Sequence, residues 1–125
     1  MCIRDSPLSA YYHEIAHGAG LTMLSRAYYT HFVEHCPELH DRFIDMAKAM
    51  GKTDAKEPMD FVTALVDLQK ACGVDELKMS DYGITPEEFP KFVDNARSTM
   101  GILFKLDRLK LTDEDLVKIY TESYR

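Results

Sequence analysis

Apolar residues recur along most of this chain at the three- and four-residue spacing that places them on one face of a helix. The clearest helix start is the segment Thr85–Glu88, in which a threonine N-cap precedes a proline and the last glutamate occupies the acidic position of a capping box. An apolar stripe follows this start, made of Phe89, Phe92, Val93 and Ala96. Gly101 is then placed to end the helix, since glycine readily adopts the left-handed conformation found at helix ends.

Four further segments carry the same periodicity. Thr112 begins one helix, with acidic residues in its first turn that favour the positive end of the helix dipole. The other three run from about Gly20 to Glu34, from about Pro37 to Met50 and from about Pro58 to Cys72, the last two followed by the glycine stops Gly51 and Gly73. The first of them is apolar on most faces, which is typical of a central, buried helix. Since almost no segment favours a strand, the sequence predicts an all-α domain of about five helices.

Composition and charge exclude several classes of function. The formal net charge is −6 and no basic cluster stands out, which argues against a nucleic-acid-binding surface. No apolar run approaches the roughly 20 residues of a membrane span, and no signal peptide is recognisable. Cys2, Cys36 and Cys72 are odd in number and widely spaced, so we expect reduced thiols and a cytoplasmic protein. Cys36 and Cys72 are predicted to be buried packing residues.

The segment that begins at Leu8 carries the candidate chemistry. It contains His-Glu-x-x-His from His13 to His17, and on a helix this spacing lets two imidazoles share a zinc ion while Glu14 activates water. The longer form of this motif would place a third histidine at position 23, where the chain has Met23, whose thioether is a poor ligand for catalytic zinc. A small zinc hydrolase is therefore one hypothesis, and it requires His13 and His17 on one continuous helix.

The same segment also resembles a known family. Leu-Ser-Ala-Tyr-Tyr from Leu8, then His17-Gly18, then Gly-Leu and a long apolar helix resembles the metal-binding segment of the iron-containing alcohol dehydrogenases, in particular the butanol-dehydrogenase-like branch. Looser similarities follow in the family's order, in the turn at 80–84 and in the last helix from Leu111 to Tyr120. The resemblance covers about residues 8 to 125 and implies the C-terminal helical domain of a dehydroquinate-synthase-like fold.

The resemblance implies a function as well. In this family a divalent metal, iron or sometimes zinc, is held by one aspartate and three histidines, and NAD or NADP is bound by an N-terminal α/β domain. His17 matches the last of the three histidine ligands, and a small alcohol or aldehyde would be the substrate. The positions of the family's preceding ligand and of a further active-site histidine hold Ile3 and Pro7, which cannot serve. We therefore expect residues 1–7 to be a foreign leader, residues 8–125 to be the helical domain, and the nucleotide-binding half to be missing.

These expectations extend to activity and to the neighbouring residues. The isolated chain should not catalyse the reaction, should bind metal weakly or not at all, and should place His17 at the start of a helix, facing an open cleft. His13, Tyr11 and Tyr12 are predicted to be neighbours in the cleft, and three further histidines are predicted at the surface or at helix ends: His31, His35 and His40. Without its partner domain, the face from Leu8 to Leu24 should be exposed and should favour self-association. A third hypothesis is a non-catalytic helical domain that binds nothing.

Overall fold

The computed structural model describes residues 7–125, and every regular element in that range is helical. The α-helices are α1 (Pro7–Tyr11), α2 (His17–His35), α3 (His40–Ala49), α4 (Met59–Ala71), α5 (Phe89–Leu106) and α6 (Asp113–Ser123). Single 3₁₀ turns lie at Pro37–Leu39, Met79–Tyr82 and Pro86–Glu88. The predicted all-α fold is confirmed, with the short α1 added to the five expected helices. Apart from Pro7, the expected leader lies outside the described residues.

Helix α2 organises the domain, since it contacts α1, α4 and α6. On one side of the fold α3 packs on α4, and on the other α5 packs on both α1 and α6. Aromatic rings join these elements: Tyr29 of α2 meets Phe61 of α4 edge-on at 5.0 Å, and Phe89 of α5 stacks on Tyr120 of α6 at 5.5 Å. The central, buried position expected for the apolar segment Gly20–Glu34 is thus confirmed. Within residues 7–125, no helix is long and apolar enough to cross a bilayer.

The ends of the helices follow the sequence signals with one exception. Thr112 and Asp115 form a reciprocal capping box at the start of α6, with backbone-to-side-chain hydrogen bonds of 2.8 and 3.1 Å. Gly51 and Gly73 have φ values of 99° and 67°, the left-handed conformation that ends α3 and α4 as predicted. Gly101 does not end α5, which continues to Leu106 past a non-helical Met100. The predicted stop is wrong because Gly101 has no positive φ, so the chain kinks beside it and helical structure resumes.

Two predictions of burial are also wrong. Cys36 is buried as expected, but Cys72 is exposed, because it caps α4 at the end of the helix and lies off its packed face. His31 is only 2% exposed, because it lies on the face of α2 that packs against α6. His35 and His40 match the prediction, since they are the last residue of α2 and the first residue of α3.

Candidate functional site

The candidate site lies where the chain passes from α1 to α2. Residues 12–16 form a short connection between the two helices, and His17 is the first helical residue of α2. Ala16, the preceding residue, has the extended-type backbone angles φ −58° and ψ 137°, and its carbonyl accepts hydrogen bonds from the amides of Ala19 and Gly20. The expected position of His17 at the start of a helix is therefore confirmed. The expectation that its ring faces an open cleft is not met in the described residues, since both ring nitrogens are buried.

The imidazole of His17 has an unusual environment. Both ring nitrogens are buried, and neither has a hydrogen-bond partner within residues 7–125. Leaving one buried polar atom unpaired costs about 1–3 kcal/mol, so nearly all such atoms in native proteins have a partner. A histidine that ligates a metal uses one nitrogen for the metal and usually donates the other N–H to a second group. The two unpaired nitrogens of His17 suit that pair of roles.

Two glycines within the first turn of α2 differ in their surroundings. A Cβ atom added to Gly20 would lie 3.5 Å from Cδ1 of Leu8 and 3.8 Å from Cγ2 of Ile15, so this glycine brings α2 close to α1 and to the connection. A Cβ atom added to Gly18 would meet nothing within 4 Å among the described residues. Among the described residues, the space beside the backbone of Gly18 is therefore open.

Apolar side chains near the site are partly exposed. Tyr11 is 40% exposed and Leu21 is 48% exposed, as predicted for a face that meets another domain. The prediction is wrong for Ile15 and Met23, which are 1% and 3% exposed because they pack into the core of the domain itself. The exposed apolar face is consequently smaller than the sequence indicated.

The structure contradicts the zinc-hydrolase geometry. His13 and Glu14 lie in the turn between the helices and are exposed, so they do not share a helical face with His17. Met23, at the place of the third histidine of the longer motif, is buried in the core. Within the described residues, no group of three or more His, Cys, Asp or Glu side chains could hold a metal ion. The structure therefore does not favour the zinc-hydrolase hypothesis.

The connection is held from several directions. The hydroxyl of Ser9 donates to the carbonyl of Ile15 at 3.1 Å, in a buried position. The hydroxyl of Tyr12 donates to Oε2 of Glu88 at 2.5 Å, and this hydrogen bond is the largest cause, followed by burial, that raises the pKa of Tyr12 to about 12. The same bond is the main cause that lowers the pKa of Glu88. Tyr12 was predicted only as part of the cleft wall and Glu88 only as a helix cap, since no sequence signal links residues so far apart.

The other histidines do not join this site. His31 stacks on His35 with ring centroids 4.2 Å apart, and His40 makes a 2.8 Å contact from Nε2 to the carbonyl oxygen of Val33. His31 also faces the start of α6, where its Nε2 lies 3.7 Å from Oδ1 of Asp115. These three side chains belong to the packing of α2 against its neighbours.

A divalent metal can be tested against this geometry. His17 offers a ring nitrogen with no competing partner among the described residues, which fits one metal ligand. A catalytic site needs about three protein ligands and an open position, and residues 7–125 contain no group of three or more such side chains that could hold a metal. The site therefore fits a metal whose remaining ligands come from outside the described part of the chain.

Comparison with known proteins agrees with this geometry. The family model described as Fe-containing alcohol dehydrogenase family, C-terminal, matches residues 5–124. Two solved structures of ADH/D1, an archaeal halo-thermophilic alcohol dehydrogenase from a Red Sea brine pool, are similar: a ligand-bound form at TM-score 0.86 and 21% identity, and a histidine-to-alanine mutant at TM-score 0.83 and 22% identity. Both matches cover 98% of this chain but 32% of the other chain, and at such identities they show the fold. No curated protein matches the sequence significantly.

Proposed function

The chain belongs to the iron-containing alcohol dehydrogenase family, and we propose that it is the C-terminal, metal-binding domain of an enzyme that interconverts alcohols with aldehydes or ketones. The cofactors would be a divalent metal, iron or zinc, and NAD or NADP. The observation that supports this proposal most directly is the pair of buried, unpartnered nitrogens of His17 at the first position of α2.

His17 would hold the metal as one of several ligands. When bound, a divalent metal supplies Lewis acidity that stabilises negative charge on the substrate oxygen. The chain's own contribution is to fix the imidazole at the start of α2, where the positive end of the helix dipole also favours negative charge nearby. Gly18 leaves the adjacent backbone open, which gives substrate and nicotinamide room to approach.

Tyr12 is not proposed as an acid in the reaction. Its hydroxyl is committed to Glu88, and its pKa of about 12 keeps the proton on the phenol at neutral pH. Tyr11 is exposed nearby, and Nζ of Lys91 lies 3.8 Å from the centre of its ring. We therefore propose that Tyr11 lines the cleft and takes no part in the reaction.

The proposal also concerns what lies beyond this domain. The chain spans 32% of the length of the solved alcohol dehydrogenase, so the nucleotide-binding half and the remaining ligands would come from the rest of such a protein. The 125-residue chain alone is accordingly expected to bind metal weakly. Self-association through the exposed Tyr11 and Leu21 and a cytoplasmic location remain expectations. Sedimentation at several concentrations would test the former.

An activity experiment tests the proposal. In a longer protein that carries this domain together with a nucleotide-binding half, we would compare wild type with His17→Gln and with His13→Gln as the matched control. After reconstitution with ferrous iron or zinc, the His17 variant should lose bound metal and alcohol-dependent reduction of NAD or NADP, while the control keeps both. Loss of both properties in the His13 variant, or retention of both in the His17 variant, would reject the proposal.

A further inference from the structure

The orientation of His17 depends on a connection that has few bonds of its own. The N-cap residue Ala16 contributes no side-chain cap, and the His17 ring has no partner within the described range. Because His17 directly follows residues 12–16, the backbone of this connection helps to set where the imidazole points, together with the packing of α2.

Local contacts hold one end of this connection. The amide of Ile15 donates to the carbonyl of Tyr12 at 3.0 Å, and the amide of Tyr12 donates to the carbonyl of Leu8 at 2.9 Å. Leu8 and Ile15 are almost fully buried and lie against Gly20. These contacts join the connection to α1 and to the first turn of α2, and the buried side chain of Ile15 also packs into the core of the domain.

The side chain of Tyr12 adds a hydrogen-bonded link from the connection to the start of α5. Its hydroxyl reaches Oε2 of Glu88, 76 residues away, and its ring lies edge-on to Phe92 at 6.4 Å. The same Oε2 atom accepts the amide of Thr85 at 3.2 Å, so Glu88 is itself held by the cap at the start of α5. One carboxylate oxygen thus fixes both the beginning of α5 and the connection that leads into His17.

We propose that Tyr12 and Glu88 are positioning residues for His17, acting through their hydrogen bond to hold the α1–α2 connection and thereby aim the imidazole at the metal. The functional importance of orienting His17 rests on the proposed function, whereas the hydrogen bond between Tyr12 and Glu88 does not. Nothing in the capping role of Glu88 requires a tyrosine partner, since the box with Thr85 is complete without it.

Three substitutions separate positioning from general stability. Tyr12→Phe removes the hydroxyl but keeps the ring that packs on Phe92. Glu88→Gln keeps an oxygen that can accept from Tyr12 and from Thr85, and so serves as the conservative rescue. Tyr11→Phe is the matched control, because Tyr11 is the neighbouring residue, also packs on Phe92, and makes no hydrogen bond through its hydroxyl among the described residues.

The readout is the ring Cε1–H resonance of His17 in the 125-residue chain labelled with ¹³C-histidine, assigned by its loss in His17→Gln. We expect Tyr12→Phe to shift or broaden the His17 resonance while leaving that of His40 unchanged, and we expect Tyr11→Phe and Glu88→Gln to resemble wild type. An unchanged His17 resonance in a folded Tyr12→Phe chain would overturn the proposal, as would equal changes in Tyr11→Phe. Circular dichroism verifies folding, and if Tyr12→Phe does not fold, Glu88→Ala measured against Glu88→Gln decides by the same criteria. Because this experiment contains no metal, an unchanged His17 resonance would not affect the proposal that His17 binds a metal. Likewise, a failure of His17 to bind metal would not affect the positioning of His17 by Tyr12 and Glu88.

Discussion

The imidazole Nε2 of His31 lies 3.7 Å from Oδ1 of Asp115, across the contact between α2 and α6. Asp115 is also the capping acid of α6, held by the backbone and the side chain of Thr112. His31 is 2% exposed, and its Nδ1 has no hydrogen-bond partner in residues 7–125. A neutral ring is therefore packed against a carboxylate that is already engaged elsewhere.

This arrangement predicts a loss of stability in mild acid. Burial is the largest cause that lowers the pKa of His31, and His35 and Lys118 act in the same direction against Asp115 and Glu122. Because the unfolded chain then takes up the proton more readily than the folded chain, the contribution of His31 is complete above the ordinary histidine pKa of about 6.5 and declines as the pH falls below it.

The measurement is urea unfolding at several pH values around that pKa. The free energy of unfolding of wild type should fall with acidification, and His31→Leu should fall less steeply over the same range. His13→Gln, which alters an exposed histidine, is the control and should keep the wild-type slope. Identical slopes for wild type and His31→Leu would show that His31 does not carry this effect.

The cap of α6 gives a prediction about stability at neutral pH. Thr112→Ala removes the side chain that accepts the amide of Asp115, and replacing such an N-cap typically costs about 1 kcal/mol. Thr53→Ala, in an exposed turn, provides the control and should leave the free energy of unfolding nearly unchanged. Equal effects of the two substitutions in urea titrations would mean that the capping box contributes little.

Two glycines should respond in opposite directions to alanine. Gly73 has φ 67°, which alanine adopts only with strain, so Gly73→Ala should destabilise the chain by roughly 1 kcal/mol. Gly101 has no positive φ and no described atom within 4 Å of an added Cβ, so Gly101→Ala should be neutral or stabilising by up to about 1 kcal/mol. In thermal unfolding followed by circular dichroism, the melting temperature of Gly73→Ala should be lower than that of wild type, and that of Gly101→Ala should be equal or higher. A similar change in both variants would refute the argument from φ.

Sequence reasoning succeeded where one local signal determines one local structure. The acids after Thr112 and the glycines that end α3 and α4 act within a single turn, so their effects could be predicted. Helix α1 was not predicted, because five residues are too few to show a helical period. The burial of His31 was missed since α2 is apolar on most faces, and its sequence does not reveal which face meets α6.

The candidate site divides in the same way. His17 was found from the family resemblance of its segment, and its position at the start of α2 follows from the chain around it. The bond from Tyr12 to Glu88 joins distant parts of the sequence, so it depends on how α1 packs against α5. Only the folded structure shows that Glu88, which the sequence explains as a helix cap, also accepts a hydrogen bond from Tyr12.

The isolated chain offers a simple test of its metal affinity. Since residues 7–125 contain no group of three or more ligating side chains and His17 is the one ligand proposed, zinc or ferrous iron should bind weakly in calorimetric titrations under reducing conditions. Tight one-to-one binding that is abolished by His13→Ala and also by His17→Ala would instead support the hydrolase geometry. That result would contradict the structure, in which His13 lies in a turn outside α2.

Anomalous X-ray diffraction tests the central claim most directly. Crystals of a longer protein that carries this domain together with a nucleotide-binding half would be grown with iron or zinc, and data would be collected at the absorption edge of the metal. The account predicts a metal peak at about 2.0–2.1 Å from a ring nitrogen of His17, with its other ligands from outside this domain. A metal peak located elsewhere, with His17 bonded to protein groups only, would contradict it.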